Sequence, residues 1–128
     1  MAEGLLVSSY LTQEMVCSGR RAIEALEHAG LPMLATYWEY VEEGERWRLV
    51  LISPELPVLG PLSIFRKIDA ALAAQASEPM ALDTLYIDVQ SDTQPFYRRL
   101  MLAPHADPQQ RRDINNFFDS EHYVYWVA

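Results

Sequence analysis

Leu34-Ala35-Thr36-Tyr37-Trp38-Glu39-Tyr40-Val41, Glu42-Glu43-Gly44-Glu45 and Arg46-Trp47-Arg48-Leu49-Val50-Leu51-Ile52 follow one another without a break. Two runs rich in β-branched and aromatic residues flank a short acidic turn, and its one glycine supplies the φ > 0 position that such turns need. The stretch predicts a β-hairpin. With a two-residue loop at Glu43-Gly44, or its four-residue equivalent, Tyr40 faces Trp47, Glu39 faces Arg48 and Trp38 faces Leu49. Opposite charges then pair, and so do aromatics. A slip of one residue sets Glu39 against Leu49 and loses both gains. Alternation makes Thr36, Trp38, Tyr40, Trp47, Leu49 and Leu51 the expected core face. Tyr37, Glu39, Arg48, Val50 and Ile52 make a mixed face.

Upstream of the hairpin, a short apolar lead (Leu5, Leu6, Val7, Tyr10) is expected to pack on the core or add an edge strand. The first helix is predicted from about Thr12 to Ala29. Thr12 caps it, and Gly30 with Pro32 stops it. Met15, Ala22, Ile23 and Leu26 share one face with Gly19, where helix and sheet can approach closely. Downstream, Pro54, Pro57 and Pro61 punctuate a loop, and Gly60-Pro61 opens a second helix to about Gln75. Ile64, Phe65, Ile68, Ala71 and Leu72 form its apolar stripe. Thr84 to Gln90 alternates as a strand, burying Leu85, Ile87 and Val89. Ser91-Asp92 offers a cap for a short helix to Met101. Residues 109–119 fit either a helix (Ile114, Phe117, Phe118) or a strand (Arg112, Ile114, Asn116, Phe118). Tyr123-Val124-Tyr125-Trp126-Val127 closes the chain as a strand. The order α-β-β-α-β-(α)-β predicts one α+β domain over 1–128, with a mainly antiparallel sheet of about four to five strands and two or three helices.

A formal charge of −8 disfavours direct binding to nucleic acid or anionic lipid. The single cysteine, Cys17, leaves no internal disulfide and fits a reducing cytosol. The N-terminus has no basic segment ahead of its three-residue apolar run, and no run approaches the ~18 residues of a membrane span. A soluble cytoplasmic protein is expected.

Catalytic signatures are weak. His28, His105 and His122 have no metal-ligand spacing, so no metal and no cofactor are expected. Cys17 reads as a small helical hydrophobe rather than a nucleophile. Asp88 and Asp92 follow one another at the end of the third strand and, with His105, outline the site of a small hydrolase or transferase. A wet strand face for Asp88 and a helix cap for Asp92 are the favoured explanations of the two carboxylates. Phosphate-loop and nucleophile-elbow motifs are absent.

The surplus lies in aromatics. Tyr37, Tyr86, Tyr123 and Tyr125 alternate onto what reads as one sheet face, beside Arg48, Val50 and Ile52. Exposed tyrosines with an arginine have the composition of an interface. A second packed layer formed by residues 92–119 would account for them as well.

Trp47-Arg48-Leu49-Val50-Leu51-Ile52-Ser53-Pro54, then Gly60-Pro61 and Ile64-Phe65-Arg66-Lys67-Ile68, resembles a pattern in short uncharacterised bacterial proteins. In these, a W-R-L strand ends in Ser-Pro, Gly-Pro opens a helix, and a Tyr-rich strand closes the chain. The likeness spans most of residues 12–72 and the last six. No activity is known for that group, so the resemblance implies a bacterial, cytosolic accessory protein and assigns no catalytic residue. By size and charge the chain is also similar to the small acidic chaperones of type III secretion, but its strand order departs from theirs, which places three consecutive strands after the first helix.

The expectation is therefore a non-enzymatic macromolecular interaction module. Its partner would be another protein or a further copy of the chain, bound through Tyr37, Arg48, Tyr86, Tyr123 and Tyr125. The enzyme sited at Asp88, Asp92 and His105, and an acidic inhibitor of a nucleic-acid enzyme, are the alternatives.

Overall fold

A computed structural model describes residues 10–73, 82, 86–102 and 110–128. Leu5, Leu6 and Val7 of the apolar lead, the last residues of the second expected helix, the first part of the third expected strand and the loop holding His105 lie outside the described residues; Tyr10, the last of the lead, is exposed and not packed on the core. Among the described residues four helices and a five-stranded mixed sheet form an α+β fold: α1 (Gln13–His28), β1 (Ala35–Val41), β2 (Arg46–Ile52), α2 (Leu56–Leu59), α3 (Pro61–Ala73), β3 (Ile87–Gln90), α4 (Pro95–Met101), β4 (Arg112–Asp119) and β5 (His122–Val127). The strand order is β3-β2-β1-β5-β4.

The hairpin takes the expected register. Tyr40 pairs with Trp47, Glu39 with Arg48 and Trp38 with Leu49, around a turn at residues 42–45 in which Gly44 has φ +96°. Thr12 caps α1 by accepting from the Met15 amide at 3.1 Å. Ser53 explains the Ser-Pro motif: its buried hydroxyl donates to the Pro32 carbonyl and accepts from the Glu55 amide, fixing the exit from β2. β3 runs parallel to β2, which requires a crossover, and α2 and α3 supply it.

Both faces of the sheet are covered. On one face α1 and α3 bury Trp38, Trp47, Leu49, Leu51, Ile87, Val89, Tyr125 and Trp126. On the other, α4 lays Phe96, Tyr97 and Leu100 over Tyr37, Val50, Ile52, Val124 and Val127. β2 is flanked on both sides and covered on both faces, which is why Leu49-Val50-Leu51-Ile52 is an unbroken apolar run.

Several expectations are corrected. Of the two readings of the mixed hairpin face, the packed layer from residues 92–119 holds: α4 lies on it, so it is a second core and not an exposed aromatic face. Tyr123 lies opposite Trp38, so it and Tyr125 occupy the α1 side, away from Tyr37. A bulge beside Thr36 and Tyr37 brings Trp126 to that side as well. The Asp92 side chain does not cap α4; the side-chain Oε1 of Gln94 accepts from the Tyr97 amide at 2.9 Å, directly ahead of Pro95. Residues 112–119 are a strand.

At Gly19 α1 lies directly against the Tyr125 and Trp38 side chains of the sheet. Trp38 Nε1 donates to Tyr125 Oη at 2.8 Å, which donates to the Val16 carbonyl at 2.6 Å. The two buried ring polar groups are satisfied under a helix whose only side chain there is a hydrogen atom.

Candidate functional site

β4 ends the sheet, and its sequence leaves its outer edge dressed in side chains of both kinds. Phe117 and Phe118 are neighbours in an extended strand, so their rings fall on opposite faces. Phe117 meets Tyr123 and Trp47 on the α1 side, while Phe118 meets Phe96 on the α4 side. Each ring stays about half exposed, at 54% and 44%. Together with the Tyr40–Trp47 contact they extend a strip of aromatic rings across the hairpin end of the sheet. β4 is also irregular: its register against β5 shifts twice, and Asn115 takes φ +52°. Such bulges interrupt a regular ladder and guard an edge against indiscriminate strand pairing.

Beneath that edge lies a polar chain linking β4, β5, β1, β2 and β3. Asp119 accepts from His122 Nδ1 (2.8 Å), Arg99 and the Glu121 amide. His122 Nε2 meets Glu39 at 3.0 Å. Arg48 forks between Glu39 and Asp88, at 2.6 and 2.8 Å. Gln94 Nε2 reaches Glu39, and its carbonyl accepts the Tyr37 hydroxyl at 2.7 Å, so α4 is bolted to the same chain. Phe96 stacks flat on the His122 ring at 3.6 Å between centroids.

Burial alone would raise the Glu39 carboxyl, but hydrogen bonds from His122 and Arg48 outweigh it and hold the group at about 2. His122 is the mirror case: burial opposes its charge, and the bonds to Glu39 and Asp119 overcome that and raise it. Asp119 is lowered, because His122, the Glu121 amide and Arg99 outweigh its desolvation. Burial pushes the Tyr37 phenol far up, so it acts as a neutral donor. A general base needs a free lone pair within reach of substrate. His122 has both ring nitrogens bound to carboxylates, and Arg48 is committed to Glu39 and Asp88. These charged groups are bonded to one another and tie the strands together as a clamp.

The sequence-predicted residues scatter over this framework. Tyr37 and Tyr125 are buried in opposite cores. Arg48, with its side chain 28% exposed, is an element of the clamp. Tyr123 joins the aromatic strip, half-buried. Tyr86 is exposed next to β3, at the far side of the sheet. Asp88 is occupied by Arg48 and Gln90, Asp92 is exposed in the turn before α4, and His105 lies outside the described residues. Neither aspartate lines the clefts beside α1; an open one of about 390 Å³ lies at Glu24, Glu27 and His28, and two more abut other elements. One, of about 350 Å³, lies against α3 between Gly30, Leu31, Lys67 and Ala71. The other, of about 70 Å³, is closed by Arg111, which stacks on Trp126 and pairs with Glu27 and Asp113.

Among the described residues no group of three or more His, Cys, Asp or Glu side chains is placed to hold a metal ion, and no helix is long and apolar enough to cross a membrane. Sequence reasoning assigned no site role to Phe117, Phe118 or His122 and did not single out Asp119 or Gln94. The Arg112-Ile114-Asn116-Phe118 alternation was the available signal for the edge strand. Comparison with protein-family models, with curated proteins and with solved structures gave no match. Function must therefore be read from the site itself.

Proposed function

We propose that this chain is a non-enzymatic protein-interaction module, a bacterial cytosolic accessory protein that takes its partner at the β4 edge. One observation carries the reading: Phe117 and Phe118 straddle the last strand of the sheet, each half exposed and each rooted in a different core. A partner segment lying along that edge meets a rigid aromatic anchor on either side, and aromatics of this kind dominate binding energy at interfaces. The bulges of β4 keep the contact short and leave recognition to the two rings. Asp119, held by His122, Arg99 and the Glu121 amide, fixes the strand that presents them. The clamp supports a structural role for Glu39, Arg48, Asp88 and His122, and it occupies Asp88, one of the three residues of the enzyme alternative.

Site-specific photo-crosslinking in native cells tests the proposal. A benzophenone side chain at Phe118 should give one discrete protein adduct that is lost when Phe117→Ser is added. The same probe at Leu62, an exposed apolar residue of α3, should give none. An adduct from Leu62 and none from Phe118 would overturn the proposal.

A further inference from the structure

We infer that His122 is a proton-operated latch on the β4 edge: with both ring nitrogens protonated it pins Asp119 and steadies Phe118 for a partner, and on giving one proton to water it releases Asp119 and weakens partner binding. This rests on the edge-binding reading above and adds its regulation.

The placing of the ring carries the inference. His122 Nδ1 lies 2.8 Å from Asp119 Oδ1, and Nε2 lies 3.0 Å from Glu39 Oε2. Carboxylates only accept, so both contacts are hydrogen bonds when the imidazole carries two N–H groups. A neutral imidazole has one. Whichever tautomer it takes, a ring lone pair then faces a carboxylate oxygen, and one contact must open. The charged groups around the ring come from every neighbouring element. Glu39 comes from β1, with Arg48 from β2 and Asp88 from β3 behind it; Asp119 comes from β4, with Arg99 from α4 behind it. The Tyr37 ring lies 6.1 Å away, its hydroxyl donated to Gln94.

The two contacts are unequal. The Glu39 side chain is 14% exposed and is also held by Arg48 and Gln94. The Asp119 side chain is 36% exposed and can turn to water, so a lone pair against it costs less. The remaining proton therefore stays on Nε2, and the Asp119 contact opens. Asp119 Oδ1 also accepts the Glu121 amide, so its movement disturbs the β4–β5 turn. Asp119 directly follows Phe118, beside a register shift of β4 against β5. Phe118 is tied to the ring by a second route, since it meets Phe96, which stacks flat on His122. An anchor that must be ordered on binding gives up affinity. Burial opposes the charge on His122, the two carboxylates outweigh it, and the titration moves above 6.5. The latch is shut on the acid side of that titration and open on the alkaline side.

The test follows three signals of the full chain with pH. They are the imidazole nitrogen shifts of His122, the fluorine shift of para-fluorophenylalanine at Phe118, and the protein adduct from a benzophenone at Phe118 in native cells whose internal pH is set with an ionophore. His122 should titrate above 6.5, its neutral form should carry the proton on Nε2, and the fluorine signal should share its midpoint. Adduct yield should fall about tenfold across that midpoint. His122→Gln offers one donor and one acceptor at every pH, so it should give the low yield throughout, with unchanged hairpin amides showing that it is folded. Should that variant unfold, the wild-type midpoints decide alone, and a fluorine midpoint apart from the imidazole one would overturn the latch. So would an imidazole that never titrates in the folded chain, or whose neutral form keeps its proton on Nδ1. An adduct yield that stays flat while His122 titrates, or that falls as steeply in His122→Gln, would overturn the latch and leave the edge reading intact. No adduct at any pH would overturn both.

Discussion

Replacing a helical glycine by alanine ordinarily stabilises a protein by roughly 0.5–1 kcal/mol. At Gly19 the sign should reverse. A Cβ there would sit 2.4 Å from Tyr125 Oη, 2.9 Å from Trp38 Nε1 and 3.2 Å from Trp38 Cζ2. Both rings are buried and hydrogen-bonded to each other, and Tyr125 also holds the Val16 carbonyl. Either α1 lifts from the sheet or Tyr125 turns away. The second route strands the Trp38 N–H and breaks two bonds, each costing about 1–3 kcal/mol when a buried partner is left unsatisfied. Against the propensity gain, Gly19→Ala should lose about 1–3 kcal/mol net. Paired urea melts measure it. A double-mutant cycle with Tyr125→Phe locates the cause, because removing the hydroxyl removes the nearest obstacle and Gly19→Ala should then cost much less. A Gly19→Ala midpoint at or above wild type would refute the close-approach reasoning.

Trp47→Ala, in the α1-side core, should cost about 3–5 kcal/mol. Arg48→Ala should cost less, about 1–2 kcal/mol, because the guanidinium is partly solvated but leaves Glu39 and Asp88 without a shared cation; melts that reverse the order would move Trp47 out of the core. The clamp also sets the pH dependence. Glu39 and Asp119 are depressed in the folded chain, so their contribution is present above the unfolded value, 4.5 for Glu39, and fades as pH falls toward about 2. His122 is raised, so its contribution is complete below 6.5 and is lost as pH rises through its higher folded value. Stability should therefore plateau between about 4.5 and 6.5, and a profile still climbing above pH 7 would contradict the clamp. His122→Ala should remove the alkaline decline and cost near the low end of ~3–5 kcal/mol, since Arg48 still holds Glu39.

The hairpin register was legible because its constraints are local: Glu39 finds Arg48, and Tyr40 finds Trp47, across a turn whose chemistry is short-range. Helix α1 was legible for the same reason, from Thr12 at one end and Gly30 at the other. The second core was less so. Val50 and Ile52 read as a mixed face because strict alternation assumes one wet side, yet the unbroken run Leu49 to Ile52 already matched a strand buried on both. Tyr37 and Tyr125 were drawn toward a common surface because β5 has no turn that ties its register to β1. Only the long-range Trp38–Tyr123 pairing, with the bulge beyond it, decides which side those rings take. His122 and Asp119 stand three residues apart across a turn, but Glu39, which completes their clamp, is 83 residues from the histidine. The β4 edge was hidden by an ambiguity of period, since Ile114, Phe117 and Phe118 suit a helix as well as a strand.

The central claim, that β4 presents Phe117 and Phe118 for a partner rather than for the fold, is tested most directly by Phe117→Ser/Phe118→Ser. One experiment reads its urea midpoint beside the photo-crosslinked adduct from a benzophenone placed at Asn116. With half of each ring already in water, the variant should stay folded and lose only about 1–2 kcal/mol per ring, while the adduct disappears. A variant that unfolds would make the two rings core residues. A folded variant that still forms the adduct would place the binding surface elsewhere.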